Sequence, residues 1–328
     1  MLKKKIAGAI YGQFIGDGLG TRYEFQKRNN VQSKMKNDSL EISSMLPILG
    51  GGPFKVLKGQ VTDDTELAMG LLHSILENQT YSKEMTAQKY IKWYNSNPFD
   101  IGNTTRNAFR GASNYNDIIN NSERLNKQSL SNGCLMRISP LAIYGIKLSD
   151  EQLIKFCNED TIMTNPNEIA LDAVVAYCIA LKTTLLTQDK KIIYDKIYAN
   201  IKTDVVKNIL YNSLSKPEPV VDPSGESILT DSSKMGYFGI ALQNAFYELF
   251  NGISFYSSLV NIISKGGDTD TNGCIGGALL GAYYGIDNIP PQWILDVQIN
   301  NPRSYDYTEI DQMKINENID KLINLIYL

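Results

Sequence analysis

The sequence predicts an all-α protein, one compact helical domain spanning residues 1–328. Three observations carry that expectation. Apolar residues recur at helical spacing in stretch after stretch. Alternating strand-like runs bounded by turn signals are scarce. The segments between the periodic stretches are polar and rich in glycine or proline, with no clean linker and no low-complexity tract.

The chain opens MLKKKIAGAIYGQFIGDGLG. Lys3, Lys4 and Lys5 before an apolar run resemble a secretory signal, but Gln13 and Asp17 interrupt the run and no A-x-A-like cleavage site follows, so the segment reads as a core helix. Residues 45–59 form a Gly/Pro-rich loop. From Thr62 onward, Leu67, Ala68, Leu71, Leu72, Ile75 and Leu76 make a helical stripe. Thr62 is placed to cap that helix, and Asp63 and Asp64 suit its dipole. Further helices are expected near residues 86–95, 150–157, 168–184, 190–210, 237–250 and 255–264. Residues 215–234 carry three prolines and read as a polar loop. The run 272–285 is uncharged but too short to span a bilayer.

Two of these segments share a glycine pattern. Gly8, Gly12, Gly16 and Gly20 recur every four residues, and so do Gly273, Gly277, Gly281 and Gly285. An interior glycine costs a helix about 1 kcal/mol relative to alanine. A stripe of glycines on one face lets helix backbones approach closely, a rule best attested in membranes but geometric in origin. The expectation is two buried helices packed closely, against each other, which would bring the N-terminal segment to the acids that open the second helix.

Composition narrows function. Of 328 residues, 43% are hydrophobic and 20% charged, an ordinary globular balance. The formal charge of -3 without a basic block argues against a nucleic-acid partner, and nothing argues for a membrane one. One histidine, His73, rules out histidine-rich metal sites and argues against a Ser-His-Asp triad; it reads as structural. Cys134, Cys157, Cys178 and Cys274 lack CxxC spacing and read as small apolar residues in a reducing compartment, hence a cytoplasmic protein.

The chemistry concentrates in two distant segments, Thr62-Asp63-Asp64 and Asp268-Thr269-Asp270-Thr271. Each alone reads as a capped helix start. Asp64, however, shares a helix face with Ala68, Leu71 and Ile75, so its carboxylate tilts inward and needs a partner. Asp268 and Asp270 follow Gly266-Gly267 at the mouth of an almost uncharged helix. Together the segments offer only oxygen, which suits Mg²⁺ or Mn²⁺ and does not suit zinc. Carboxylates brought that close repel unless cations lie between them. The pair therefore predicts a metal site, with two ions.

These residues also carry a resemblance. GQVTDDTELAMGLLHSI and GGDTDTNGCIGGALLGAYYG resemble the two metal motifs of the ADP-ribosylglycohydrolase family, which includes the dinitrogenase reductase-activating glycohydrolases. GAIYGQFIGDGLGTRYEF, NPFDIGNTTRNAF and SNGCLMRISPLAIYG agree in order with three further stretches, so the likeness runs from about residue 6 to about residue 285. It implies an all-α fold with two Mg²⁺ or Mn²⁺ ions at the base of a cleft. The implied ligands are Thr62, Asp63, Asp64, Asp268, Asp270 and Thr271. Glu24 matches a glutamate beside the metals and Asp100 an aspartate linked to catalysis in arginine-directed members. Asn132 and Gly133 fall in the segment that cradles the ADP-ribose phosphates, Gly102 falls with the substrate contacts, and Tyr237 matches an aromatic that stacks the adenine. Asn165 stands where the family usually has histidine; it can orient a ligand but cannot carry charge. The stretch after Tyr237 is less polar than usual, and Asp17 is expected to play a supporting role.

The implied substrate is a mono-ADP-ribosylated protein, with ADP-ribose as product. The ribose diol could engage the ions while water, activated by a carboxylate such as Glu24, attacks the anomeric carbon. Ring opening assisted by Asp100 is the other route, and in either one acid protonates the leaving group or ring oxygen. Arginine is the favoured acceptor because Asp100 could pair with a guanidinium. Serine-linked or small-molecule adducts remain open within the class. The role could be reversal of an endogenous modification or neutralisation of an ADP-ribosylating enzyme or toxin. A non-enzymatic relative acting by occupying a partner's surface is the alternative; all six implied metal ligands are present, which argues for catalysis. A two-metal phosphatase has less support, because G-x-x-x-x-G-K-[ST] is absent.

Overall fold

Two helices notched with glycine, Leu2–Gly20 and Thr269–Tyr284, lie antiparallel against each other at the centre of the fold. A computed structural model of the chain describes residues 1–41, 45–298 and 312–327. The expected single-domain span of 1–328 also includes residues 42–44, 299–311 and 328, which lie outside the described set.

The glycine stripes meet in register. A Cβ placed on Gly8 would lie 2.3 Å from the Gly281 carbonyl oxygen, one on Gly12 2.0 Å from that of Gly277, and one on Gly16 1.9 Å from that of Gly273. No side chain fits at those distances. At the next turn Gly20 faces not a glycine but the backbone of Thr269 and Asp270, and the Thr269 hydroxyl donates to the Gly20 carbonyl at 2.7 Å. The acids at residues 268–270 are thus clamped to the end of the first helix. Gly285 departs from the pattern: at φ +77° it closes the second helix, with its backbone still lying against Gly8 and Lys4 of the first.

Other helices wrap this pair. Phe238–Asn251, Phe255–Ile263 and Glu168–Leu186 pack on the second glycine helix. Asp63–Asn78, Pro291–Gln298 and Ile315–Tyr327 pack on the first. Glu168–Leu186 is long and apolar enough to cross a bilayer by length and composition, yet most of it is buried within the fold. Its Tyr177 hydroxyl donates to the Ile275 carbonyl at 2.9 Å, which ties it to the central pair. The four cysteines are free and buried.

Most expected helices are present, with ends shifted by a few residues: Lys83–Asn95, Asp150–Thr161, Phe238–Asn251 and Phe255–Ile263. The expected helix over 190–210 is instead two, Lys190–Asn200 and Asp204–Asn212. Thr203 caps the second, and the buried Asp172 carboxylate accepts from the Lys202 and Thr203 amides at 2.8–3.1 Å, holding the break open. The expected loop 215–234 contains a two-stranded hairpin, Val220–Val221 against Ser227–Ile228.

The helix Arg28–Glu41 has no clear apolar stripe to announce it. Val31, Met35 and Asp38 form its inner face, and the third rung is a charge. Arg22 donates to both Asp38 oxygens at 2.8 Å and the Tyr23 hydroxyl adds a third bond at 2.7 Å, so the carboxylate is satisfied where a leucine would be expected. Short helices at Asn103–Phe109 and Gly133–Met136 contribute to the walls of the cleft described next.

Candidate active site

The helix Asp63–Asn78 begins at Thr62, as its sequence suggests, but the Thr62 side chain does not cap it. The cap comes from Asp17 on the first glycine helix. Its carboxylate accepts from the Thr62 amide at 3.1 Å, the Thr65 amide at 3.2 Å and the Thr65 hydroxyl at 2.6 Å. The Thr62 hydroxyl lies between Asp17 (3.1 Å) and Asp64 (2.9 Å). Asp17 is fully buried and supports the site from behind, in keeping with its expected role.

The second acidic segment is placed by backbone. Gly266 and Gly267 both adopt φ +75°, a conformation that favours glycine, and a Cβ on Gly267 would strike the Thr230 carbonyl at 2.1 Å. The turn they make lets Gly267 exchange backbone hydrogen bonds with the strand after Glu24: the Phe25 amide donates to the Gly267 carbonyl at 2.7 Å, and the Gly267 amide to that of Gln26 at 2.9 Å. This short antiparallel bridge sets Glu24 beside Asp268 and Asp270. One carboxylate oxygen from each of Glu24, Asp268 and Asp270 lies within 4.8 Å of the others.

A cleft of about 290 Å³ opens over these groups. Glu24, Asp63, Asp64, Asp100, Asp268 and Asp270 line it, joined by Thr271, Gly102, Asn132 and Gly133. The two ends of the chain and the two middle segments do converge. Three expected residues sit elsewhere. Thr62 lies beneath the floor, bonded to Asp17 and Asp64. Asn165 is wholly buried behind the wall, where its amide nitrogen faces the carbonyl and hydroxyl oxygens of Ser129 and Ser131 at 3.2–3.5 Å. It braces the segment that presents Asn132. Tyr237 lines an adjoining groove with Asp222, Lys234 and Leu130.

Electrostatically the cleft is one-sided: among the described residues no lysine or arginine lines it. Burial, followed by the Asp100, Asp268, Asp64 and Asp63 charges, pushes the Glu24 carboxyl up to about 10. Burial and the charges of Asp64 and Asp268 push Asp100 up to about 8. Asp63, Asp64 and Asp270 are raised well above the usual carboxylate range, burial again leading. Asp17 reaches about 6, burial outweighing its hydrogen bonds. Glu24 Oε2 and Asp64 Oδ1 find no hydrogen-bond partner among the described residues. Buried, orphaned, mutually repelling oxygens are what a hard divalent cation would satisfy, so the donor set fits Mg²⁺ or Mn²⁺.

Sequence reasoning missed several contacts. Asn132 donates its amide to Asp268 Oδ2 at 2.7 Å, so it orients an acid of the floor. Thr104, Thr105 and Ser131 add hydroxyls to the walls. Phe25 stands at the mouth, more than half exposed. The side-by-side placement of Glu24 with Phe25 and of Phe99 with Asp100 was the available signal.

Known proteins resemble this chain over nearly its whole length. The family model described as ADP-ribosylglycohydrolase matches residues 1–325. A protein of Acanthamoeba polyphaga mimivirus, provisionally named an ADP-ribosyl glycohydrolase, is 32% identical over 304 residues, covering 90% of this chain and 91% of its own. ADP-ribosylarginine hydrolase Tri1 of Pseudomonas putida is 25% identical, covering 88% of this chain and 72% of its own. A solved structure titled ADP-ribosylglycohydrolase-related protein complex superposes with a TM-score of 0.74 at 21% identity, over 99% of this chain and 98% of that one, and shows that the fold is shared.

Proposed function

The chain belongs to the ADP-ribosylglycohydrolase family, and from that premise we propose that it is a metal-dependent hydrolase releasing mono-ADP-ribose from modified protein side chains, with arginine as the acceptor. In this reading the whole chain works as one glycohydrolase unit in a reducing compartment, the cytoplasm. The observation that carries it is the convergence of Glu24, Asp268 and Asp270 oxygens within 4.8 Å, in a cleft lined, among the described residues, by six carboxylates and no lysine or arginine. ADP-ribose is an anion. An all-acid cleft would repel it unless divalent ions intervene.

Asp63, Asp64, Asp268, Asp270 and Thr271 would hold two Mg²⁺ or Mn²⁺ ions, and Thr62 would join them once its hydroxyl turned from Asp17 and Asp64. Bound there, the ions would offset the carboxylate charge and polarise the ribose diol. The chain's own groups do the rest. Asn132 keeps Asp268 in one orientation through its 2.7 Å bond. Glu24, with one oxygen unpartnered, can take a proton from the attacking water. Asp100, on the cleft lining, can protonate the leaving nitrogen or the ring oxygen. Gly102, Gly133 and the hydroxyls of Thr104, Thr105 and Ser131 offer uncharged contacts for the phosphates, Asn165 braces that wall, and Tyr237 supplies an aromatic face in the adjoining groove for the adenine. Arginine is favoured over serine because Asp100 and Glu24 together suit a guanidinium leaving group, and because the Pseudomonas putida relative is named for that activity. Reversal of an endogenous modification, or of one made by an ADP-ribosylating enzyme or toxin, would both use this chemistry.

The test is release of ADP-ribose from arginine-modified and serine-modified proteins, with Mg²⁺ and with chelator. Metal-dependent release from the arginine adduct is expected. Release from the serine adduct alone would reassign the acceptor, and undiminished release in chelator would overturn the metal reading.

A further inference from the structure

We propose that Phe25, backed by Phe54, forms an aromatic subsite at the mouth of the cleft that holds the cationic acceptor side chain, a guanidinium, while ADP-ribose occupies the floor. The proposal rests on the arginine-hydrolase reading and names how that acceptor is recognised.

Phe25 lines the cleft, and Phe54 and Phe99 follow it in a chain of rings. Phe25 and Phe54 have centroids 6.5 Å apart at 71°, and Phe54 and Phe99 are 5.7 Å apart at 63°. An edge-to-face pair such as Phe25 and Phe54 leaves ring faces that a stacked pair would cover. Phe25 follows Glu24 directly and Phe99 precedes Asp100 directly.

Folding does not account for Phe25. Its side chain is 56% exposed, although a phenyl ring gains most by burial. Its backbone sits at φ +59°, a left-handed conformation that a bulky residue adopts only when its surroundings impose it. The bridge between Phe25 and Gly267 imposes it here, and the effect is to aim an aromatic ring over the mouth.

Phe54 is also held deliberately. Gly50, Gly51 and Gly52 all have positive φ, and Gly51 exchanges two backbone bonds with Val56 at 2.8 and 2.9 Å, closing a tight loop with Phe54 at its tip. A Cβ on Gly52 would lie 1.9 Å from the Thr21 carbonyl, and Arg22 donates to the Gly50 carbonyl at 3.2 Å. The loop is therefore fastened to the residues just before Glu24. A ring face attracts a cation, guanidinium above all, and among the described residues the cleft lining offers no lysine or arginine to compete for it. A serine acceptor has no charge to gain from these faces.

The experiment is saturation-transfer NMR on the full chain with Mg²⁺ and saturating ADP-ribose, titrating agmatine and 4-aminobutylurea, in which an uncharged urea replaces only the guanidinium. Agmatine should bind in preference to 4-aminobutylurea. Phe25→Ala and Phe54→Ala should each weaken it about three- to tenfold, with Phe25→Trp retaining it. Phe54→Leu, which keeps volume and apolarity but has no ring face, covers the case in which the alanine variant does not fold. Equal binding of the two probes, or agmatine binding indifferent to all ring substitutions, would overturn the subsite. Ring-dependent agmatine binding by a protein that fails to cleave the arginine adduct would uphold the subsite and overturn the hydrolase reading instead.

Discussion

Gly12 and Gly277 face each other so closely that a Cβ on Gly12 would lie 2.0 Å from the Gly277 carbonyl oxygen, and the reverse placement gives 2.1 Å. Both neighbours are backbone, which cannot rotate aside. In an ordinary helix Gly→Ala stabilises by about 1 kcal/mol. Here separating the helices is required, and overpacking of a rigid core costs about 1–3 kcal/mol or more. Gly12→Ala and Gly277→Ala should therefore lower the thermal midpoint, and leucine at either position should abolish soluble expression. A midpoint that rises on Gly12→Ala would show that the contact is not as described.

Asp17 joins the glycine helix to the start of the Asp63–Asn78 helix by accepting from Thr62 and Thr65. Asp17→Asn keeps the shape but turns an amide NH₂ toward those donors. Removing one acceptor from a buried set costs about 1–3 kcal/mol. Urea unfolding of the metal-free protein should show a loss of that size. Relief of repulsion with Asp64 works the other way, so an unchanged or increased stability would mean that repulsion dominates.

The raised carboxyls make stability depend on pH. Glu24 at about 10, Asp100 at about 8 and Asp17 at about 6 hold protons in the folded chain that the unfolded chain sheds above about pH 4. The folded state binds more protons, so stability falls as pH rises through 6, 8 and 10, and is fully present only below about pH 4 as far as these groups are concerned. Metal-free protein should melt at a lower temperature at pH 8 than at pH 5.5. Millimolar Mg²⁺ or Mn²⁺ should raise the pH 8 midpoint and have less effect at pH 5.5, where protons compete. A midpoint insensitive to both would argue against a cation site.

Asn132 touches Asp268 through a single 2.7 Å bond. Loss of a group that orients a metal ligand typically costs about 10–100-fold in metal affinity or activity. Asn132→Ala should shift the Mg²⁺ or Mn²⁺ activation curve to higher concentration by that factor. Asp268→Asn, in contrast, should remove turnover at any metal concentration.

Phe25→Gly should separate stability from function. Left-handed backbone costs a non-glycine residue about 1–2 kcal/mol, so glycine removes strain and takes an exposed ring out of water. Thermal unfolding should shift upward or hold level while kcat/KM for an arginine adduct falls relative to a serine adduct. A drop in both stability and all activity would assign Phe25 a packing role.

Much of this site is legible in the amino-acid sequence alone. Helical periodicity announces Asp63–Asn78, because burial of one face imposes a repeat that local sequence must carry. The glycine stripes announce a close approach, because only glycine permits it. Oxygen-only donors at 62–64 and 268–271 announce the character of the cleft floor. These are properties of residue type and spacing, and the chain determines them by itself.

What the tertiary structure decided are the partners. Asp17 caps a helix 45 residues away in place of the nearby Thr62 side chain. Asp172 breaks the 190–210 stretch into two helices from outside it. Asn165 faces Ser129 and Ser131 from behind the wall, and Asn132 holds Asp268. Phe25, Phe54 and Phe99 meet only because a bridge to Gly267 and a glycine loop fastened to Thr21 bring three separate segments to one edge. Hydrogen bonds and ring contacts act over a few ångströms, whereas their partners lie tens to hundreds of residues apart. Spacing along the chain carries no record of which pair will meet until the backbones have packed.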